Sequence, residues 1–217
     1  MNDQPIAIVG AGALGAALGW ALTLSGVRNF LLIDPDRVEL SNLPRLPWAH
    51  EGDLGDFKTN VLARVLRRMG AGLVSIEESI ASNNVERLLK PCSMVFDATD
   101  NWPARELLQT WSFASAKPWI YSSVLGLEGM TALFDPASGP CLYCLFSQNL
   151  MRGPRCFEAG VLGPMALAVS GQALRLFQLY QAGSSERGLY LLDPHGCQRI
   201  SWPRWRCMHN ASGLEQP

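Results

Sequence analysis

The chain has 217 residues, 48% of them hydrophobic and 17% charged, with a formal net charge of −1. That supplies enough apolar material for one buried core, and the near-neutral balance excludes a basic binder of nucleic acid or anionic membrane. No basic and apolar leader opens MNDQPIAIVG, no apolar run approaches the ~20 residues of a membrane span, and six cysteines are too few for a secreted disulfide scaffold, so the expectation is a soluble cytoplasmic protein.

Ile6 to Val9 reads as a short apolar strand running into Gly10-Ala11-Gly12-Ala13-Leu14-Gly15. Helical spacing follows to about Leu24, with Gly26 as its stop. Phe30 to Ile33 forms a second buried strand that ends at Asp34-Pro35-Asp36. Asn42–Gly55 has little periodicity and reads as a long loop beside the expected site. Lys58–Met69 is helical, Leu73–Ile76 and Met94–Phe96 are strands, and Val85–Leu89 is a short helix between them. Continuous apolar strands alternating with helices predict an α/β fold of Rossmann-like type, mainly a parallel sheet with helices on both faces.

The second half changes character. Ala104–Ala114 is helical, Trp119–Ser122 and Met130–Phe134 are strands, and Pro164–Tyr180 is a long helix. That helix is apolar on much of its circumference, which suits either a deep core or a subunit interface. Tyr190–Leu192 and Gln198–Trp202 could pair as a hairpin through Asp193-Pro194-His195-Gly196. No repeat or linker divides the chain, so it reads as a single domain with a nucleotide-binding half (1–101) and a substrate- and metal-binding half (102–217), the sheet becoming mixed in the second.

The glycine turn carries the first chemistry. Gly10 permits the tight turn, Gly12 lets backbone approach a phosphate, Gly15 permits close packing, and the helix that follows turns its N–H groups toward an anion. Asp34 closes the next strand, where a carboxylate can bind ribose hydroxyls. These features indicate an adenine nucleotide without deciding between NAD and ATP. Attack at an α-phosphate builds charge on oxygens that need cations, and Arg45, Lys58 and Asp97-Ala98-Thr99-Asp100-Asn101 are available for that work. Arg45 or Lys58 alone would read as solvated surface charge. Asp100 can hold Mg²⁺ or cap the helix that starts near Trp102, or both. Cys141-Leu142-Tyr143-Cys144 supplies two thiolates on a turn, half of a structural zinc site.

Taken in order, the glycine turn, Asp34-Pro35-Asp36-Arg37-Val38-Glu39-Leu40-Ser41-Asn42-Leu43-Pro44-Arg45, Asp53-Leu54-Gly55 with Lys58, and Asp97–Asn101 with Arg105 form one pattern. It continues through Gly129, Phe134, Pro140 to Cys144, Glu158-Ala159-Gly160-Val161 and Gln172-Ala173-Leu174. This series resembles the ThiF/MoeB/HesA family, the bacterial relatives of ubiquitin-activating enzymes, over nearly the whole chain. The resemblance implies an ATP-dependent adenylyltransferase. It would bind MgATP and activate the C-terminal glycine of a ubiquitin-like sulfur-carrier protein as an acyl adenylate, working as a homodimer. Carried over by position, Asp34 would bind ribose with Asp36 and Asn42 nearby. Arg45 and Lys58 would hold phosphates, Asp100 would hold Mg²⁺, and Asn101 and Arg105 would shape the site.

The family's zinc knot takes its second half from a Cys-x-x-Cys near the end of the chain. Here Cys207-Met208-His209-Asn210 stands at that point, giving Cys141, Cys144, Cys207 and His209 as the expected Zn²⁺ ligands. Cys156 falls where some relatives form a covalent link to the activated carrier, with Arg152 and Arg155 beside it; the plainer reading is a loop thiol. Two departures stand out. The first strand begins at once, without the extension whose arginine reaches a dimer partner's ATP site, and Leu46 replaces the usual glutamine after the loop arginine. They leave two other readings, adenylation of a small-molecule or short-peptide carboxylate and a nucleotide-binding module without turnover, and the glycine turn with Asp34 also allows an NAD-dependent oxidoreductase.

Overall fold

Apolar runs bounded by glycine and aspartate set the strands, and the computed structural model, described for residues 4–146, 160–184 and 186–201, joins them into one sheet. The chain runs through β1 (Ile6–Val9), α1 (Ala13–Leu24), β2 (Asn29–Ile33), α2 (Lys58–Arg68), β3 (Gly72–Ile76), α3 (Val85–Leu89) and β4 (Met94–Asp97). It continues through α4 (Trp102–Ser115), β5 (Trp119–Leu125), β6 (Glu128–Phe134), α5 (Leu142–Leu145), α6 (Gly163–Gln181), β7 (Leu189–Asp193) and β8 (Gly196–Ile200).

The strand order is β3-β2-β1-β4-β5-β6-β7-β8. The first five positions in that order pair in parallel and the last three pair antiparallel. The expected parallel sheet that turns mixed is therefore present. Strands of the second half differ from their expected bounds: β8 starts at Gly196, and β5 and β6 extend to a tight turn, their register continuing to Leu125 opposite Glu128.

Core side chains lie on both faces. One face packs α1, α2 and α6 against the sheet through Leu18, Leu22, Leu62, Leu66, Val169 and Leu176. The other packs α3, α4 and α5 through Leu88, Leu108, Trp111 and Leu142 around Trp119, Tyr121 and Phe134. Strands covered on both sides have no polar face to expose, which is why their sequences are continuously apolar.

The order reverses between β1 and β4: β2 and β3 lie to one side of β1, while β4 and β5 lie to the other. Loops leaving the carboxyl ends of β1 and β4 must diverge there, and an open α/β sheet has its crevice at that point. Two glycines let the backbone close up around it. Gly10 has φ +101°, and a Cβ there would sit 2.5 Å from the Ala98 carbonyl oxygen; a Cβ on Gly15 would sit 1.9 Å from the Gly10 carbonyl oxygen. The first helix thus presses directly onto its own turn, and that turn onto the loop after β4.

A cleft at the switch point

The crevice is a cleft of ≈ 470 Å³, within the range of small-molecule sites. Loops at the ends of five neighbouring strands line it in spatial order: Glu78, Ser79 and Ile80 after β3, Asp34 and Asp36 after β2, Gly10 to Leu14 with the exception of Ala11 after β1, Ala98 to Asn101 after β4, and Ser123 and Val124 on β5. Arg45 and Lys58 close it from the side, and Pro103, Ala104, Leu107 and Val161 complete the wall. Gly10, Gly12, Asp34, Asp36, Arg45, Lys58, Asp100 and Asn101, separated by up to 91 positions in sequence (10 to 101), thus share one cleft.

Asp34 sits at the end of β2 because the buried strand delivers it there, and it is itself buried. Its Oδ2 accepts the Ala11 N–H at 2.6 Å and its Oδ1 accepts the Asp36 N–H at 2.8 Å. One carboxylate therefore ties the glycine turn to the 34–36 bend. Burial raises its pKa above the usual carboxylate range, while those two N–H groups and the nearby Lys58 oppose the rise. Lys58 opens α2 and donates from Nζ to Asp36 Oδ2 at 2.7 Å, so the ammonium is held at the mouth of the cleft by a carboxylate that also lines it.

Three of the expected site residues lie elsewhere in the fold. Gly15 acts in packing behind the turn. Asn42 is buried in the 3-10 segment Leu40–Arg45, where its Nδ2 donates to Ser41 Oγ at 3.2 Å, and it does not line the cleft. Arg105 is buried behind the loop: its Nε donates to Asp97 Oδ2 at 3.3 Å and its Nη2 to the Thr99 carbonyl at 2.8 Å. Asp97 also accepts the Thr99 N–H at 2.9 Å and the Thr99 hydroxyl at 2.6 Å. Burial pushes the Asp97 carboxyl up, opposed by Arg105 and Thr99. This network fixes the loop that presents Asp100. The helix cap is Asn101, whose Oδ1 accepts the Ala104 N–H at 3.0 Å, so Asp100 is left exposed at the cleft without a capping duty.

The long loop is more ordered than its sequence suggests. It contains two 3-10 turns, Leu40–Arg45 and Glu51–Asp53. Leu46 and Trp48 are buried in the core, which gives the unexpected leucine at 46 a packing role. Asp53 is buried, pairs with Arg64 of α2 and accepts the His50 N–H at 3.0 Å. Burial acts to raise its pKa, but the His50 N–H and Arg64 outweigh it and hold the carboxyl below its ordinary value of 3.8. A carboxyl with a depressed folded pKa stabilises the fold fully above its unfolded value and loses that contribution as pH falls through the folded one. Unfolding followed from pH 6 downward is therefore expected to show stability declining below about pH 4, with the decline shallower in Asp53→Asn; an identical acid slope in that variant would contradict the anchoring role.

The thiols of Cys141 and Cys144 lie 3.7 Å apart on the turn that starts α5. Two thiolates on a tetrahedral zinc with Zn–S of about 2.3 Å are separated by roughly 3.8 Å, so this pair fits an edge of such a site. Cys156, Cys207 and His209 lie outside the described residues. Among the described residues no group of three or more His, Cys, Asp and Glu side chains is placed to hold a metal, and no helix is long and apolar enough to cross a membrane.

An open, mainly parallel sheet with a glycine turn and an acidic loop facing each other across its switch-point crevice defines a Rossmann-like α/β protein. Within that class, the chain belongs to the ThiF family, which matches residues 1–194. It is 33% identical over 179 residues to the sulfur carrier protein adenylyltransferase of Thermus thermophilus, covering 78% of this chain and 66% of that protein. It is 30% identical over 212 residues to the sulfur carrier protein ThiS adenylyltransferase of Bacillus subtilis, covering 95% of this chain and 60% of that protein. The chain thus spans less than two thirds of the length of these relatives. Its fold is also that of E. coli MccB crystallised with ATP, at a TM-score of 0.78 and 18% identity over 95% of this chain and 65% of the MccB chain.

Proposed function

We propose that this protein is an ATP-dependent adenylyltransferase that activates a carboxylate as its acyl adenylate, the substrate being the C-terminal glycine of a ubiquitin-like sulfur-carrier protein. The observation that carries the reading is the cleft itself. It combines a glycine turn, two acidic residues at the ribose position, two cations and an exposed carboxylate, all over one switch point. The names of the Thermus and Bacillus relatives point the same way. Hydride transfer to a nicotinamide would leave Arg45, Lys58 and Asp100 without work.

In this reading the ribose sits against Asp34 and Asp36, and the phosphates sit between the N-terminus of α1 and the side chains of Arg45 and Lys58. The substrate carboxylate attacks the α-phosphorus, the bond from that phosphorus to the bridging oxygen breaks, and pyrophosphate leaves with the bond's electrons. No protein nucleophile is needed for this step. Arg45 and Lys58 face the charge that builds on the departing oxygens, and Asp36 keeps the lysine aimed. A magnesium ion held by Asp100 through one carboxylate and by phosphate oxygens would neutralise part of the same charge. A structural zinc would take Cys141, Cys144, Cys207 and His209. Cys156 has no part in adenylation; a covalent step through it would follow.

The division into a nucleotide-binding half (1–101) and a substrate half (102–217), a homodimer and a cytoplasmic setting belong to the same proposal. Exchange of labelled pyrophosphate into ATP, dependent on an added protein ending in Gly-Gly, tests the reading.

A further inference from the structure

We propose that Ser123 is the hydroxyl that receives the substrate's carboxylate, donating to the oxygen that stays off phosphorus and becomes the acyl carbonyl. The proposal rests on the adenylation reading and adds the group that recognises the acyl end.

The order of the cleft gives the position. Its lining follows the sheet from β3 through β2, β1 and β4 to β5. With ribose at the end of β2 and phosphates at the glycine turn after β1, the base lies toward β3 and the reacting end lies toward β4 and β5. At that end the wall beyond Asp100 and Asn101 consists of Pro103, Ala104, Leu107, Val124, Val161 and Ser123. Ser123 is the polar side chain of that set. A carboxylate brought among apolar side chains needs a donor there.

The direction of the hydroxyl follows from counting protons. Tyr121 Oη donates to Ser123 Oγ at 2.9 Å. A serine hydroxyl has one hydrogen and two lone pairs. With Oγ already accepting from the phenol, its own hydrogen remains to be given, and the side chain stands at the cleft wall. The phenol that sets this arrangement is packed on several sides. Its ring centroid lies 6.4 Å from Trp119, 6.4 Å from Phe134 and 5.4 Å from Phe146, and the Arg105 guanidinium lies 5.0 Å over it. Tyr121 is thus a positioning residue for Ser123, and the Asp97–Arg105 pair buttresses it from behind.

Calorimetric titration separates the two ends of the ligand. The probes are AMP and glycylsulfamoyl adenosine, a non-reactive mimic that carries the same acyl carbonyl as glycyl adenylate. Ser123→Ala is expected to weaken the mimic about two- to tenfold, the range for a hydrogen bond to a neutral carbonyl, with AMP unchanged. Ser123→Thr restores most of the affinity because the hydroxyl returns. Tyr121→Phe gives a smaller loss of the same selective kind. Equal effects of Ser123→Ala on both ligands, or none on the mimic, would overturn the role of Ser123 and leave adenylation standing. Binding of neither probe by the unaltered protein would remove the adenylation reading, and this proposal with it.

Discussion

Arg45→Ala is expected to lower the turnover number for pyrophosphate exchange by about 10²–10³-fold, the usual loss when one preorganised charge-stabilising donor is removed. The guanidinium stands exposed at the cleft, at the end of the 3-10 segment Leu40–Arg45. Charge grows on the leaving pyrophosphate only as the bond breaks, so the loss falls mainly on turnover and less on the Michaelis constant for ATP. The variant should fold normally. Its loop is held independently by Leu46 and Trp48 in the core and by the pair of Asp53 with Arg64. Arg45→Lys should recover part of the rate, since a lysine keeps the charge but loses the planar, two-pronged donor set. Steady-state exchange at saturating ATP decides the matter, and an undiminished turnover would remove Arg45 from the chemistry.

Arg105→Ala is expected to act on stability instead, at about 3–5 kcal/mol, the range for breaking a buried ion pair by removing one partner. Asp97 is fully buried, and Arg105 brings the opposite charge to it at 3.3 Å. Typical domains have only about 5–15 kcal/mol of stability in total, so the loss would be large. Replacing both partners with neutral groups of similar size, Asp97→Asn with Arg105→Leu, should be much less harmful than the single change, because no buried charge is then abandoned. Urea unfolding of the unaltered protein, the single variants Asp97→Asn and Arg105→Leu, and the double variant measures the coupling. Additive effects would show that the pair is not a unit. The loop from Asp97 to Asn101 presents Asp100, so the single variant should also weaken MgATP at temperatures where it remains folded.

Much of this arrangement was legible in sequence because its signals are local. Strands buried on both faces read as unbroken apolar runs, and the turn after β1 needs glycine where φ is positive and where backbone approaches within contact. Asp34 and Asp97 stand directly at strand ends, where the parallel topology brings them to one edge of the sheet. The rest depended on contacts that leave no local pattern. The resemblance places Arg105 among the residues that shape the site, and its side chain spans the strand–helix corner to reach Asp97. The cap fell to Asn101, at the proper spacing from Ala104, instead of Asp100. The loop before α2 shows little periodicity in sequence because its anchors, Leu46, Trp48 and Asp53, are held by distant parts of the fold. Ser123 leaves no signal in sequence for a similar reason: a serine in a buried strand has no meaning until Tyr121 and the cleft wall are in place.

The central claim is that this cleft makes an acyl adenylate. Exchange of labelled pyrophosphate into ATP tests it most directly, using purified protein, Mg²⁺ and small carrier proteins that end in Gly-Gly. Label should enter ATP only when a carboxylate-terminated carrier is present, and Asp100→Ala should abolish the incorporation. MgATP binding without any carboxylate-dependent exchange across such carriers, or tight binding of NADH in place of MgATP, would contradict the account.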